Sequence, residues 1–277
     1  MISSPSDAKT LMFLSVDIVD STKFKELSHD ETGSPAWLDA FEAFFRDLPL
    51  VFMGQIAATF ADADQLPNVT VWKVMGDELI FRAQPQSGEE ALRLTEAFYR
   101  TLVTYGSSFF ERWSLRFRGC CWAARFPAPN IEFRIPEMAG GDGSADGAYS
   151  DYLGPDIDLG FRLAHHGGRG QLIISLNLAE AIAKALVVMP DQRNIRFHNV
   201  GSAVLKGVFN GRPYPLIMIT VPDCGPAHLP WETEGSNHQR ATCGDPQMEA
   251  RKLIELAERS RSDLNEKYHL NLTPLVI

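Results

Sequence analysis

Hydrophobic and polar positions along the chain follow two different spacings. Residues 11–18 form an almost continuous apolar run, LMFLSVDI, which predicts a strand buried on both faces. Apolar residues then recur every three or four positions over residues 37–52 and 87–105, as on one face of a helix. Ser87 and Glu90 predict a capping box at the start of the second helix. The pattern therefore changes from strand to helix twice in the first 105 residues.

A β-hairpin is predicted next to these elements, because residues 70–74 and 79–82 flank a turn that contains Gly76. We expect a long strand over residues 113–126 and a mobile loop over the Pro/Gly/Asp-rich residues 127–150. The other predicted elements are helices at 156–166, 177–186 and 247 to about 267, and strands at 171–175, 195–197, 203–205 and 214–220. Mixed strands and helices with hairpins among them predict an α+β fold, with a sheet covered by helices.

Length and charge restrict the number of domains and the kinds of partner that the chain can have. The 277 residues are enough for one large domain, which we place at 1–221, with a C-terminal extension at 222–277 that ends in a helix. The chain has 35 Asp and Glu against 26 Lys and Arg, and this net charge of −9 argues against a nucleic-acid partner. No apolar stretch has the length of a membrane span, so we expect no membrane association and a cytoplasmic location.

Two acidic residues stand at positions suited to chemistry. Asp17 ends the first buried strand, and Asp77 lies in the hairpin turn. If these elements are neighbouring strands, the two carboxylates converge as hard oxygen ligands for Mg²⁺ or Mn²⁺. The alternative is that Asp17 caps a helix near Ser21 and that Asp77 only favours the turn.

Four segments, in order along residues 10 to 220, resemble the motifs of class III nucleotidyl cyclases. FLSVDIVDST at 13–22 is similar to the Phe-x-Asp-Ile-x-Gly-Ser-Thr opening of that family, and WKVMGD at 72–77 is similar to its Lys-x-x-Gly-Asp hairpin. DYLGPDIDLGFRL at 151–163 resembles Asp-x-x-Gly-x-x-Val-Asn-x-Ala-x-Arg-Leu, and LKG at 205–207 matches a late Leu-Lys-Gly. The combination is specific, although each motif alone is weak.

This resemblance implies a ferredoxin-like catalytic fold with a mostly antiparallel central sheet. It also implies a head-to-tail homodimer with composite sites at the interface. Asp17 and Asp77, helped by the carbonyl of Ile18, would hold two divalent cations, Mn²⁺ or Mg²⁺. The reaction implied is attack of the ribose 3′-hydroxyl on the α-phosphate of a nucleoside triphosphate, with departure of pyrophosphate.

The remaining residues of the implied site are assigned by position in the motifs. The backbone amides of Val19, Asp20, Ser21 and Thr22 would hold the β- and γ-phosphates at the start of a helix. By the same resemblance, Lys73 and Asp151 would hold the base, Asp158 would hold the ribose, and Arg162 from the other protomer would stabilise charge at the α-phosphate. The terminal phosphates would be bound by Lys206, with Arg212 as the less favoured alternative.

Two positions depart from the family pattern. Asp20 replaces a glycine and adds a negative charge where phosphate should lie, unless its side chain turns away. Asp158 replaces the asparagine that holds the ribose. Both changes affect how the substrate is placed, but neither removes the predicted metal ligands.

The base is a separate question. A lysine donor beside a carboxylate acceptor suits adenine, cytosine or uracil. A catalytic motif that begins near residue 10, the insertion at 127–150 and the C-terminal region with LPWE at 229–232 resemble the pyrimidine cyclases of Pycsar antiphage defence. By that resemblance we favour UTP, with cyclic UMP as a second messenger, ahead of CTP. ATP is the alternative.

Three further interpretations carry less weight. Cys224, His228, His238 and Cys243 have spacings that a zinc site uses, but they lie in a loop-like tail. The alternative to an enzyme is a binding protein, either a catalytically inactive nucleotide-binding module or a diguanylate-like palm domain. The GGDG at 140–143 is better explained by loop composition than as a diguanylate cyclase signature, which lies in a tight hairpin.

Overall fold

The computed structural model describes residues 8–27, 37–135, 149–189, 195–224, 245–268 and 272–277. The nine strands in these ranges are β1 (Lys9–Val19), β2 (Val69–Met75), β3 (Glu78–Ala83), β4 (Arg116–Phe126), β5 (Ile131–Ile135), β6 (Tyr149–Leu153), β7 (Leu172–Ile174), β8 (Arg196–Val204) and β9 (Pro213–Thr220). The six α-helices are α1 (Ser21–Leu27), α2 (Trp37–Thr59), α3 (Gly88–Trp113), α4 (Pro155–Ala164), α5 (Leu176–Val188) and α6 (Pro246–Tyr268).

A seven-stranded sheet in the order β2-β3-β1-β4-β7-β9-β8 forms the centre of the fold, and β5 and β6 pair in a separate ribbon. In the described part of the chain, β4 and β7 are the one parallel pair of the large sheet. Helices cover both faces of this sheet. The predicted α+β fold with a mostly antiparallel sheet is therefore confirmed.

Strand direction decides which residues can meet. β1 and β2 end, and β4, β7 and β8 begin, at the same side of the sheet, because each pairs with its neighbour in the orientation just given. We call this side the Asp17 end, since Asp17 lies near the end of β1. The hairpin turn at residues 76–77, which joins β2 to β3, also lies at the Asp17 end.

Aromatic side chains pack between the helices and both faces of the sheet. On one face, Phe52 of α2 and Phe98 of α3 pack their rings on Phe81. On the other face, α4 covers an aromatic cluster that consists of Phe13, Trp72, Trp122, Tyr152 and Phe161. The predicted helix over residues 37–52 does bury an apolar face, but it continues to Thr59.

The approach of α4 to the sheet depends on a glycine. A Cβ atom at Gly160 would lie 2.2 Å from the ring of Trp122, which is fully buried. Any larger residue at 160 would have to move α4 or the tryptophan, because interiors are packed without spare volume. Gly160 stands at the position where the motif that residues 151–163 resemble has alanine.

Several predicted boundaries differ from the structure. The helix that begins after the Ser87 cap continues to Trp113, and the strand predicted from 113 begins at Arg116. Ser87 accepts the amide of Glu90 at 3.1 Å, as a capping box requires, but the Glu90 carboxylate accepts the amide of Gln86 and not that of Ser87. The two strands predicted at 195–197 and 203–205 form one strand, β8. Its pairing with β9 shifts in register between Asn199 and Ser202, and the strand continues beyond this point.

The expectation of a loop over residues 127–150 is wrong in part. Residues 131–135 form β5, which pairs with β6 in antiparallel register, Phe133 opposite Asp151. The alternating sequence IEFRI carries β propensity that the surrounding Pro and Gly concealed. Residues 136–148, including the GGDG at 140–143, lie outside the described residues.

The C-terminal helix shares the core of the rest of the chain. Ala250, Leu253 and Ala257 of α6 are buried in the same hydrophobic cluster as the sheet, and the helix packs against α5 and β8. Arg261 also donates to the buried Glu180 of α5. The boundary between 1–221 and 222–277 stays a prediction, but α6 contributes to one continuous core. None of the helices in the described ranges is both long and apolar enough to cross a membrane.

Candidate active site

The acidic cluster at the Asp17 end is built by register. Asp17 lies opposite Glu78 on β3 and opposite Arg118 on β4. Nε of Arg118 donates to Oδ2 of Asp17 at 2.6 Å, and the Asp17 side chain is 14% exposed. The predicted end of a buried strand therefore places a carboxylate inside the protein and provides it with one cation.

Asp77 joins this cluster through the turn between β2 and β3. The amide of Ile18 donates to the backbone oxygen of Asp77 at 3.2 Å, which fixes the turn beside the end of β1. The hydroxyl of the buried Ser21 donates to the Asp77 carboxylate. The structure thus brings together the two acids that the sequence selected, and Ser21 is both the first residue of α1 and a partner of Asp77.

Burial raises the pKa of two carboxyl groups in this cluster, those of Asp17 and Glu78. Desolvation raises the pKa of Asp17 to about 6; Arg118 lowers it, and the nearby charges of Asp77 and Glu78 raise it. Burial also raises the pKa of Glu78, against a hydrogen bond from Ser15 and the charge of Arg118, which lower it. Three carboxylates therefore lie near one another, and the one guanidinium among them is paired with Asp17. An excess of negative charge of this kind favours the binding of a cation.

The donor set of the cluster fits a divalent cation. Within the ranges that the structure describes, no group of three or more His, Cys, Asp or Glu side chains is arranged to hold a metal ion. Mg²⁺ is commonly held by one or two carboxylates together with substrate phosphates, and not by a cage of protein ligands alone. Asp17, Asp77 and the carbonyl of Ile18 are donors of this hard oxygen type.

The segment that follows β1 contains the predicted phosphate-binding residues. Val19 ends β1, Asp20 has a φ of 62°, and α1 begins at Ser21 with Thr22 exposed. A positive φ explains why glycine suits this position, although aspartate adopts it more readily than most residues. The Asp20 side chain is paired with Arg169, from the loop between α4 and β7.

The predicted base-binding residues form an ion pair. Nζ of Lys73 on β2 lies 3.0 and 2.9 Å from the two carboxylate oxygens of Asp151 on β6. The two side chains are 26% and 27% exposed, and the Lys73 ammonium lies 5.0 Å from the ring centroid of Trp72. This donor and acceptor are thus adjacent, partly shielded from water and open to a ligand.

Asp158 and Arg162 lie on α4, whose start is held by a buried amide. The side chain of Asn130 donates to Asp156 at 2.7 Å and accepts the amide of Asp156 at 3.0 Å. A Cβ atom at Gly154 would lie 2.4 Å from this asparagine, which explains the glycine of the third motif. Asp158 and Arg162 themselves are exposed.

Lys206 lies apart from the acidic cluster within one chain. It is exposed, and it follows β8 at the side of the sheet opposite the Asp17 end. The adjacent Gly207 lines a cavity of about 590 Å³ together with Asp158 and residues of α6. The predicted residues therefore fall into two groups, with Lys206 and Asp158 in one and Asp17 and Asp77 in the other.

Three residues of this region were missed by sequence reasoning. Arg118 and Glu78 are the cross-strand neighbours of Asp17, so a correct strand register would have found them. The sequence around Arg169 gives no sign of its role, because its pairing with Asp20 arises from a contact between distant segments.

The suggested zinc site cannot be built from the described residues. Cys224 is a free thiol, and the other three residues of that site lie outside the described residues.

Known structures share this fold. The adenylyl cyclase CyaB from P. aeruginosa is similar to the chain with a TM-score of 0.55 at 16% identity, over 77% of this chain and 95% of that one. The guanylate cyclase domain of RhGC from Catenaria anguillulae, solved in complex with GTP, has a TM-score of 0.50 at 12% identity, over 78% and 98%. No family model and no curated protein matches the sequence. The chain therefore has the fold of adenylyl and guanylyl cyclase domains.

Proposed function

We propose that the protein is a nucleotide cyclase, which converts a nucleoside triphosphate into a 3′,5′-cyclic nucleotide and pyrophosphate. The observation that carries this proposal is the meeting of Asp17 and Asp77 at the end of β1, in a fold shared with cyclase domains. Two carboxylates beside a single arginine are an arrangement that a catalytic metal site uses. A domain that only binds nucleotide has no need of it.

Asp17, Asp77 and the carbonyl of Ile18 would hold the two divalent cations. When bound, these cations supply charge neutralisation for the triphosphate and activation of the ribose 3′-hydroxyl. Ser21 orients the Asp77 carboxylate through its hydroxyl. The amides of residues 19–22 face the β- and γ-phosphates in this proposal, and Arg162 stabilises the charge that develops at the α-phosphate.

The active form in this proposal is a head-to-tail homodimer. Lys206 and Asp158 lie away from Asp17 within one chain, so a site that uses all three residues requires a second copy. One protomer would supply Asp17 and Asp77, and its partner would supply Lys73, Asp151, Asp158, Arg162 and Lys206. The separation of Lys206 and Asp158 from Asp17 within one chain supports this division.

The base is held, in the proposal, between Lys73 and Asp151. Their adjacency at 2.9 Å supports a role as a donor and acceptor pair. Uracil, cytosine and adenine each satisfy such a pair, so the choice of UTP, with CTP next, rests on the resemblance to pyrimidine cyclases. ATP is the second candidate, because adenine also satisfies this donor and acceptor pair.

The test is a product assay. The purified protein is incubated with Mn²⁺ and each of the four ribonucleoside triphosphates, and the products are identified by chromatography and mass spectrometry. We expect cyclic UMP as the main product. Cyclic AMP alone would contradict the pyrimidine assignment, and nucleotide binding without any pyrophosphate release would contradict a cyclase and favour a binding module.

A further inference from the structure

Asp20 and Arg169 form an ion pair at the edge of the proposed phosphate site. Asp20 holds the position at which the family motif has glycine, with a φ of 62°. Nη2 of Arg169 donates to its carboxylate across 149 positions of sequence. The pair is not part of the proposed chemistry, yet it lies between the end of β1 and the start of α1.

Backbone hydrogen bonds hold Arg169 in this place. The amide of Gly170 donates to the carbonyl of Phe117 at 2.7 Å, and the amide of Gly119 donates to the carbonyl of Gln171 at 2.8 Å. Both bonds join the loop to the start of β4, on either side of Arg118. The residues that follow Arg169 are therefore held against the start of β4, beside the arginine that pairs with Asp17.

The pair is too exposed to be important for stability. The side chains of Arg169 and Asp20 are 64% and 52% exposed, and ion pairs of this kind contribute little to the free energy of unfolding. Its effect on an approaching anion is different. An unpaired carboxylate beside the β- and γ-phosphates repels them over distances shorter than the Debye length of about 8 Å at physiological salt. A guanidinium paired with the carboxylate cancels that charge.

We propose that Arg169 is a positioning residue for the triphosphate, which acts by neutralising Asp20. The Asp20–Arg169 pair then replaces the glycine of the family motif, because the pair carries no net charge where the phosphates lie. This inference rests on the proposed function and deepens it. It also explains how an aspartate at position 20 is compatible with a bound triphosphate.

The test is a mutant cycle on the Michaelis constant. We expect Arg169→Ala to raise KM for the nucleoside triphosphate roughly five-fold, with kcat changed less than about two-fold. In the Asp20→Gly background, Arg169→Ala should have almost no effect, because no charge is left to cancel. Arg169→Lys should keep most of the affinity. The increase in KM should shrink between about 0.05 M and about 0.5 M salt, since exposed charges are screened.

A matched control is Arg259→Ala, which removes an exposed arginine paired with Glu255 on α6 and should leave KM unchanged. An unchanged KM in Arg169→Ala would overturn the inference. So would a defect that persists in the Asp20→Gly background, because it would mean that Arg169 binds phosphate directly or supports the fold. If the wild type makes no cyclic nucleotide, the proposed function fails separately. The same cycle is then read as the dissociation constant of manganese tripolyphosphate, where equal values for wild type and Arg169→Ala overturn the inference.

Discussion

Two regions of the molecule place a carboxylate against a cation, and their charge balance differs. In the acidic cluster, Arg118 pairs with Asp17, the charges of Asp77 and Glu78 lie nearby, and burial raises the pKa of Asp17 to about 6. In the second region, one ammonium faces one carboxylate, Lys73 against Asp151. The first region carries an excess of negative charge that a metal cation can neutralise. The second region is already neutral. A ligand that binds there must therefore offer an acceptor for Lys73 and a donor for Asp151 in place of their mutual hydrogen bonds.

Removal of a carboxylate from the unbalanced cluster should have the largest effect. We expect Asp17→Asn and Asp77→Asn to lower cyclic nucleotide formation by about 1,000-fold or more, because the metal ligands are lost. Circular dichroism should show both variants folded. Asp39→Asn on α2 is a matched control at an exposed acid, and it should retain activity. An active Asp17→Asn or Asp77→Asn enzyme would contradict the metal assignment.

The same variants also test the division of the site between two protomers. Asp17→Asn and Arg162→Ala should each be inactive alone, but a mixture of the two should recover about a quarter of the wild-type rate, since half of the dimers are mixed and each has one intact site. Size-exclusion chromatography would verify that the subunits exchange. A mixture that contains mixed dimers and stays inactive would contradict the composite site.

Changes to the balanced pair should have a smaller and more selective effect. We expect Lys73→Gln or Asp151→Asn to lower kcat/KM for the preferred nucleotide by about 10- to 100-fold, because a charged partner is left without its counterion. The preference among the four nucleotides should weaken at the same time.

Lys9→Gln is a closely matched control for this prediction. Lys9 is 25% exposed, and it pairs with Glu132 at 2.7 Å, but it lies at the start of β1, away from the Asp17 end. Nucleotide preference should be unchanged in this variant. If Lys73→Gln keeps the wild-type preference, Lys73 does not read the base.

The pH dependence of stability gives the smallest effect. The raised pKa of Asp17 means that the folded protein holds this proton more tightly than the unfolded chain does, so the contribution of Asp17 to stability falls as pH rises from about 4 to 6. Asp17→Asn lacks this penalty. Its free energy of unfolding relative to wild type should therefore be higher at pH 7.5 than at pH 5, by about 1 kcal/mol.

Urea unfolding in the presence of a chelator measures this difference. Thr22→Ala, an exposed neutral change near the cluster, should differ from wild type by the same amount at both pH values. An Asp17→Asn difference that does not change with pH would mean that the cluster is better balanced than its burial indicates.

Sequence patterns predicted the strands and most of the helices, because periodicity is a local property. The meeting of Asp17 with Asp77 was expected only if their strands were neighbours, and the resemblance to class III nucleotidyl cyclases favoured it. β5 was missed because its short alternating run lies among turn residues. Arg118, Glu78 and Arg169 could not be found without strand register and loop contacts, which join distant parts of the chain. The resemblance to class III nucleotidyl cyclases thus indicated the motif residues, whereas the charges around them depended on the tertiary fold.

The contact between Gly160 and Trp122 couples the side-chain sizes at two positions that are far apart in sequence. A methyl group at 160 would lie 2.2 Å from the indole, so alanine there requires α4 or Trp122 to move, or a smaller side chain at 122. Homologous sequences should accordingly show covariation, with glycine opposite tryptophan and alanine opposite a smaller residue. A sequence pattern that requires alanine at position 160 would therefore miss sequences that keep this tryptophan.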